Sequence, residues 1–219
     1  MTTVYGHNER IMTHPVIAHP WHGVPIGDRA PEIVNGYIEI VPTDTVKYEI
    51  DKASGLLRID RPQRYSSFCP ALYGFVPQTL CGDDVAAYCM EQTGRGGIEG
   101  DGDPVDLCVL TEHTVSHGGI LLSARPIGGL RMIDAGQVDD KIIGVLEGDP
   151  AWGAWRDIAE CPAGILDRLR HYFLTYKDLP GTPGRRVEIA AVYGAAEAME
   201  ILRRSTRDYE RVFGPGLSG

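Results

Sequence analysis

The sequence predicts a mainly β domain of the α+β class: a small barrel followed by two helices. Three observations carry that expectation. Short runs of alternating apolar and polar residues recur between Tyr37 and Leu146. Glycine and proline, 27 and 15 in all, punctuate the connections between them. Helical spacing of apolar residues takes over only after Pro162. Many short strands with Gly- and Pro-rich connections suit a small closed sheet better than a layered α/β fold.

Taken in order, residues 1–34 are rich in His, Pro and Gly and are expected to form an extended N-terminal arm, with residues 35–219 as a single domain. His14, His19 and His22 in that arm read as surface or packing residues, because no Cys or acidic spacing supports ligation. Tyr37–Val41 and Val46–Ile50 are expected strands, and Gly55–Asp60 follows a Ser-Gly turn as a third. In Val46-Lys-Tyr-Glu-Ile50 the apolar residues alternate with Lys47 and Glu49, so one face is core and the other can face a polar cavity. Cys81–Gly100 holds Asp83, Asp84, Glu91, Glu99 and five glycines with little apolar periodicity, and is expected to be a mobile inserted loop. Leu107–Leu110, Ile120–Ala124 and Lys141–Leu146 continue the strands. Pro162 suits a first helical turn ahead of Ile165, Leu169, Phe173 and Tyr176, and Pro180-Gly181 ends that helix. Ala195–Val212 is a second amphipathic helix, with Ala198, Met199 and Leu202 inward and its charges outward.

Composition limits the classes of function. A formal charge of −9 disfavours nucleic acid as a partner, which requires basic surface. Phosphate substrates stay open, since a bound cation inverts the local field. The five cysteines show no CxxC pairing, as expected of reduced thiols in a cytoplasmic protein. The N-terminus lacks an apolar signal core and no later run is long enough for a bilayer, so no membrane partner is expected.

The most informative stretch is Glu99-Gly-Asp-Gly-Asp-Pro-Val-Asp106-Leu-Cys-Val-Leu110. Asp101, Asp103 and Asp106 crowd three carboxylates into six residues, which raises their proton affinity unless a cation screens them. Oxygen donors of this kind suit Mg²⁺, Mn²⁺ or Ca²⁺. Pro104 makes the chain turn, Gly100 and Gly102 let the acids converge, and Val105, Leu107 and Val109 then alternate as strand. The segment reads as a metal cradle at the mouth of a strand.

Asp101-Gly-Asp-Pro-Val-Asp106 resembles the signature of the family I soluble inorganic pyrophosphatases. Lys47-Tyr-Glu-Ile-Asp51, Gly55 to Arg61, Tyr73-Gly74, Arg125-Pro-Ile-Gly128, Asp134 with Asp139 and Lys141, and Tyr176-Lys177-Asp178-Leu179 recur in that family's order, over roughly Tyr37 to Leu179. The resemblance implies a five-stranded OB-like barrel with two flanking C-terminal helices. It further implies hydrolysis of pyrophosphate to two orthophosphates by direct attack of a metal-activated water. Several Mg²⁺ ions, with Mn²⁺ as a substitute, would be held by Asp101, Asp106, Asp134, Asp139 and, through water, Glu39. Asp103 would be the general base. Lys47, Arg61, Lys141 and Lys177 would clamp phosphate, Tyr73 and Tyr176 would donate hydroxyl hydrogen bonds, and Glu49 would orient Lys47 behind them. A homo-oligomer is expected. Cys69 stands where the family usually has tyrosine, and a thiol is a weaker hydrogen-bonding group. A non-catalytic divalent-metal-binding or interaction protein is the alternative, but it leaves the four cations unexplained.

Overall fold

β1 (Val34–Ile40), β2 (Val46–Ile50), β3 (Leu57–Pro62) and β4 (Leu72–Phe75) open the fold, followed by α1 (Asp83–Thr93), β5 (Glu99–Gly100) and β6 (Asp106–Leu110). Then come β7 (Ile120–Asp134), β8 (Gln137–Val138), β9 (Lys141–Leu146), a 3-10 turn at Ile158–Glu160, α2 (Ala163–Thr175), β10 (Val187–Gly194) and α3 (Ala195–Phe213). The structure is a computed structural model and describes residues 17–177, 181, 183–184 and 187–214.

Strands pair in the order β1-β4-β6-β9-β7, and β7 returns to β1, so five strands close into a ring as the sequence led us to expect. Closure depends on the length of β7. Its start pairs with β1 from Ile120↔Ile38 to Ala124↔Val34, and its later part pairs with β9 and β10. A register shift between Pro126 and Gly128 bends it, and Pro126 cannot donate to the ladder there. β2 and β3 form a separate hairpin. It is tied to the ring where Glu39 accepts a 2.7 Å hydrogen bond from the Ile50 amide.

Alternation along the strands divides the interior in two. Ile38, Leu107, Val109 and Ile142 pack with Val85 of α1 and with Ala198, Ile201 and Leu202 of α3. Cys108, Leu110, Ile127, Leu130 and Ile143 pack with Leu169 and Phe173 of α2. Each fully buried large side chain contributes about 1.5–3 kcal/mol, so both helical faces are held chiefly by apolar burial.

Several expectations need correction. Cys81–Gly100 is not a loop: it folds as α1, with Val85, Ala86 and Cys89 buried, and ends in β5. The helix begins after Gly82 and stops at Gly94 (φ 68°). Its cap comes from far along the chain: the Asp208 carboxylate accepts from the Asp84 and Val85 amides at 3.0–3.1 Å. Asp208 therefore lies inside, against the expectation that every α3 charge faces outward, while Met199 is half-buried and Ile201 is the deeper residue. β4 and β10 were not anticipated as strands.

Of the expected arm, residues 1–16, with His14, lie outside the described residues. The remainder packs down: Trp21 is buried and its indole donates to the Thr79 carbonyl at 2.8 Å. His19 and His22 are packing residues, with ring centroids 4.8 Å apart and His22 Nδ1 2.8 Å from the Tyr209 hydroxyl. Pro162 sits just before α2 rather than within its first turn. α2 ends at Thr175, and Pro180, Asp178 and Leu179 lie outside the described residues.

Candidate active site

The chain reversal at Gly100 and Gly102 gathers the acids. Gly102 has φ 74°, a left-handed conformation that an L side chain resists, and a methyl group on Gly100 would strike the Cys81 backbone. Asp101 Oδ1 accepts from the Asp103 amide at 2.9 Å, and the Asp103 carbonyl accepts from Cys81 N at 2.8 Å. Asp106 then begins β6 opposite Lys141, the first residue of the parallel strand β9.

One cavity of about 750 Å³ receives all thirteen residues anticipated from the sequence. Asp101 and Asp103 come from the β5–β6 connection, Asp106 from the start of β6, Asp134 from the end of β7, Asp139 from the β8–β9 connection, and Glu39 from β1. Lys47, Glu49 and Arg61 come from the β2–β3 hairpin, Tyr73 from β4, Lys141 from β9, and Tyr176 with Lys177 from the end of α2.

Acids and cations interleave within it. The Lys141 ammonium, 1% exposed, donates to both Asp106 and Asp139. Lys177 donates to Asp134. Lys47 donates to Glu49 at 3.2 Å, and Lys52 pairs with Asp103. Tyr73 and Phe173 flank the Lys141 ammonium, with ring centroids 6.0 and 5.5 Å away. Arg61 and Lys177 lie 5.9 and 5.4 Å from the Tyr176 ring centroid.

Burial shapes the protonation of these groups. It pushes Glu39 up to about 8 against the Ile50 hydrogen bond, and Asp101 up to about 7, helped by Asp103, Asp139 and Asp106. Asp139 is also raised by burial, which outweighs the pull of Lys141. For Lys141 burial acts downward, yet Asp106 and Asp139 hold it well above the ordinary lysine value. Lys47 and Lys177 are likewise raised against burial by their acidic and tyrosyl neighbours. Among the described residues no three acids stand close enough to form a closed metal cage. Hard oxygen donors whose burial already favours neutralisation nonetheless suit a divalent cation, so the donor set fits one.

Sequence reasoning missed the roles of three neighbours. Lys52 faces Asp103, and Asp60 bridges the two hairpin cations, 3.1 Å from Lys47 and 2.5 Å from Arg61. Arg58 approaches Asp51 at 3.6 Å and Glu49 at 3.8 Å. The pairing Lys47↔Arg61 across the hairpin is the signal that would have placed Asp60 between them. Cys69 does not line the cavity. It lies in the apolar cluster beneath, and burial pushes its thiol up to about 12.

Known proteins match this chain over nearly its whole length. The family model described as inorganic pyrophosphatase matches residues 36–210. The inorganic pyrophosphatase of Chlamydia muridarum is 50% identical over 201 residues, covering 90% of this chain and 96% of that protein. The soluble inorganic pyrophosphatase of rice is 42% identical, covering 90% and 84%. Among solved structures, the inorganic pyrophosphatase of Thermus thermophilus superposes with a TM-score of 0.74 at 31% identity, over 88% of this chain and 99% of that one. A Trypanosoma cruzi vacuolar soluble pyrophosphatase in complex with PPi gives 0.74 at 25% identity, over 89% and 79%. With the ring of five strands and a cavity of interleaved aspartates and lysines already in view, these matches show that the chain belongs to the inorganic pyrophosphatase family.

Proposed function

We propose that this chain hydrolyses inorganic pyrophosphate to two orthophosphates and that Mg²⁺ is its cation. One observation carries the reading: a single cavity brings Lys47, Arg61, Lys141 and Lys177 to the same place as Asp101, Asp106, Asp134 and Asp139. A protein that only bound metal would need the acids and not the cations. The relative in complex with PPi supports the substrate.

In this reading Asp101, Asp106 and Asp139, with Asp134 and Glu39, would hold the divalent cations, which would supply a lowered pKa for water and neutralise charge on the phosphoryl oxygens. Arg61 offers a planar fork for bidentate phosphate contact, and the three lysines act as point charges. Glu49 and Asp60 hold Lys47 in the cavity, and Tyr73 and Tyr176 donate from its wall. Asp103, the half-exposed carboxylate of the cluster, accepts the proton of the attacking water on a side-chain oxygen. Steady-state phosphate release from pyrophosphate, with and without chelator, tests the whole reading.

The protein is further proposed to be cytoplasmic and a homo-oligomer. All five cysteines are free and buried, which favours a reducing compartment. No helix among the described residues is long and apolar enough to cross a membrane. Sizing chromatography with light scattering checks the assembly.

A further inference from the structure

The β2–β3 hairpin brings Lys47, Glu49 and Arg61 to the cavity, yet it is a two-stranded sheet separate from the ring. Its turn rests on the N-terminal arm. Gly55 closes the turn with φ 71°, and a methyl group there would lie 2.8 Å from both the His19 and the Pro20 rings. Asp51 holds the turn from within, accepting from the Ser54 amide at 2.9 Å and from its hydroxyl at 2.8 Å. Those local bonds fix the shape of the turn and leave its placement to outside contacts.

The surroundings of His19 fix its tautomer. Nδ1 faces the Trp21 and His22 amides at 3.2 and 3.4 Å, so it accepts and carries no proton. Nε2 then holds the proton and donates to the Lys52 carbonyl at 3.2 Å. One ring thus joins the arm to the turn. The arm is itself anchored, because the Trp21 indole donates to the Thr79 carbonyl at 2.8 Å and the Gln78 amide donates to the Trp21 carbonyl at 2.9 Å. Trp21 also shares an apolar cluster with Ile50, and Leu57 packs against it. Lys52, whose carbonyl His19 holds, extends its ammonium to Asp103 in the cavity.

We propose that His19 is a positioning residue: by holding the Lys52 carbonyl and covering Gly55 it sets the hairpin so that Lys47, Lys52 and Arg61 face the aspartates. This rests on the reading above, in which Lys47 and Arg61 receive phosphate. The aspartates come from β6, β7 and the connections beside them, a different part of the chain. Loss of His19 is therefore expected on the substrate side of the site and not on the cation side.

The test compares His19→Asn with the parent by KM and kcat for pyrophosphate, by Mn²⁺ calorimetry without substrate, and by amide hydrogen exchange across residues 46–62. Asparagine places an acceptor where Nδ1 stands, so the Trp21 and His22 amides keep a partner, but it is too short to reach the Lys52 carbonyl. KM is expected to rise by about two- to tenfold, the scale of one net hydrogen bond, with kcat falling less and Mn²⁺ affinity near that of the parent. Exchange across the hairpin should quicken by about the same factor. His19→Ala should raise KM as much and quicken exchange at the Trp21 and His22 amides as well. Parent KM in both variants overturns the proposal, as does unchanged exchange across the hairpin, or a rise in KM matched by an equal loss of Mn²⁺ affinity. Absence of pyrophosphate turnover by the parent would instead overturn the reading of the site, and exchange would still decide whether His19 holds the hairpin.

Discussion

Asp106 and Lys141 face each other at the first register position of the parallel β6–β9 pair, and the buried ammonium donates to the carboxylate. Because the strands are parallel, the end of the acidic motif and the start of β9 emerge at the same rim of the ring. That placement joins residues from two distant segments into one charged surface and gives the aspartates a local counter-charge. It also makes Lys141 dependent on its acids, and they on it.

Phosphate release from pyrophosphate is expected to require Mg²⁺ and to stop with excess chelator. Asp101, Asp106 and Asp139 line one cavity, and burial already raises the proton affinity of Asp101 and Asp139. A malachite green assay across a Mg²⁺ titration checks this; unchanged turnover in metal-free buffer would sink it.

Stability without metal should fall as pH rises. Burial raises Glu39 to about 8 and Asp101 and Asp140 to about 7, so between about pH 4 and 8 the folded state keeps protons that the unfolded chain has released. Their contribution is complete below the unfolded carboxylate range and is lost as pH climbs through these raised values. Melting temperature in chelator should therefore decline from pH 5 to pH 8, with a shallower slope in Mg²⁺. A rising trend in chelator would contradict the assignment.

Asp103→Asn should leave the fold and cation binding near wild type, since the side chain is half-exposed and its ion-pair partner is Lys52 on the cavity wall. Turnover should drop by about two to four orders of magnitude, the range for losing a general base. Near-normal turnover would reduce Asp103 to a turn residue.

Asp106→Ala should be more severe, removing a proposed cation ligand and one of the two acids that balance the buried Lys141. Cation affinity and activity should fall together in calorimetry and kinetics. Wild-type affinity would show that the cradle has been assigned to the wrong acids.

Shortening the insertion is now expected to be costly, contrary to what a loop would allow. Replacing Gly82–Gly97 with a Gly-Ser turn removes the buried Val85, Ala86 and Cys89, at roughly 3–6 kcal/mol, and strands Asp208. Asp208→Ala alone should cost about 1–2 kcal/mol, the value of a helix cap. Urea denaturation measures both. A shortened protein as stable as the parent would return the segment to a tolerated excursion.

The acidic cradle was legible from its own spacing, whereas the cations and tyrosines of the cavity were legible only because their short motifs resemble, in order, those of a known family. The ring was legible from alternation, yet the reach of β7 was not. Pro126, Gly128 and Gly129 read as the end of a strand, whereas they mark a bend within one. α1 was hidden for a related reason. Gly82 and Gly94 flank a helix whose fully buried residues are Val85, Ala86 and Cys89, and glycines at both ends of an acidic segment look like a loop. Asp60 escaped because it is read locally as the neighbour of Arg61, and its second partner, Lys47, meets it only once the hairpin has formed.

The cap of α1 has a kinetic consequence. Its acceptor, Asp208, is separated from the helix start by 124 residues, and the ring strands β7 and β9 lie between them in the chain. An eleven-residue helix with so narrow an apolar face has little cause to persist alone. Its cap is completed only once α3 has docked, so that long loop must close before the first turn of the helix is fully satisfied. The segment leading directly into Asp101 thus depends on a contact made from the far end of α3, and the placement of its acids is coupled to the docking of that helix.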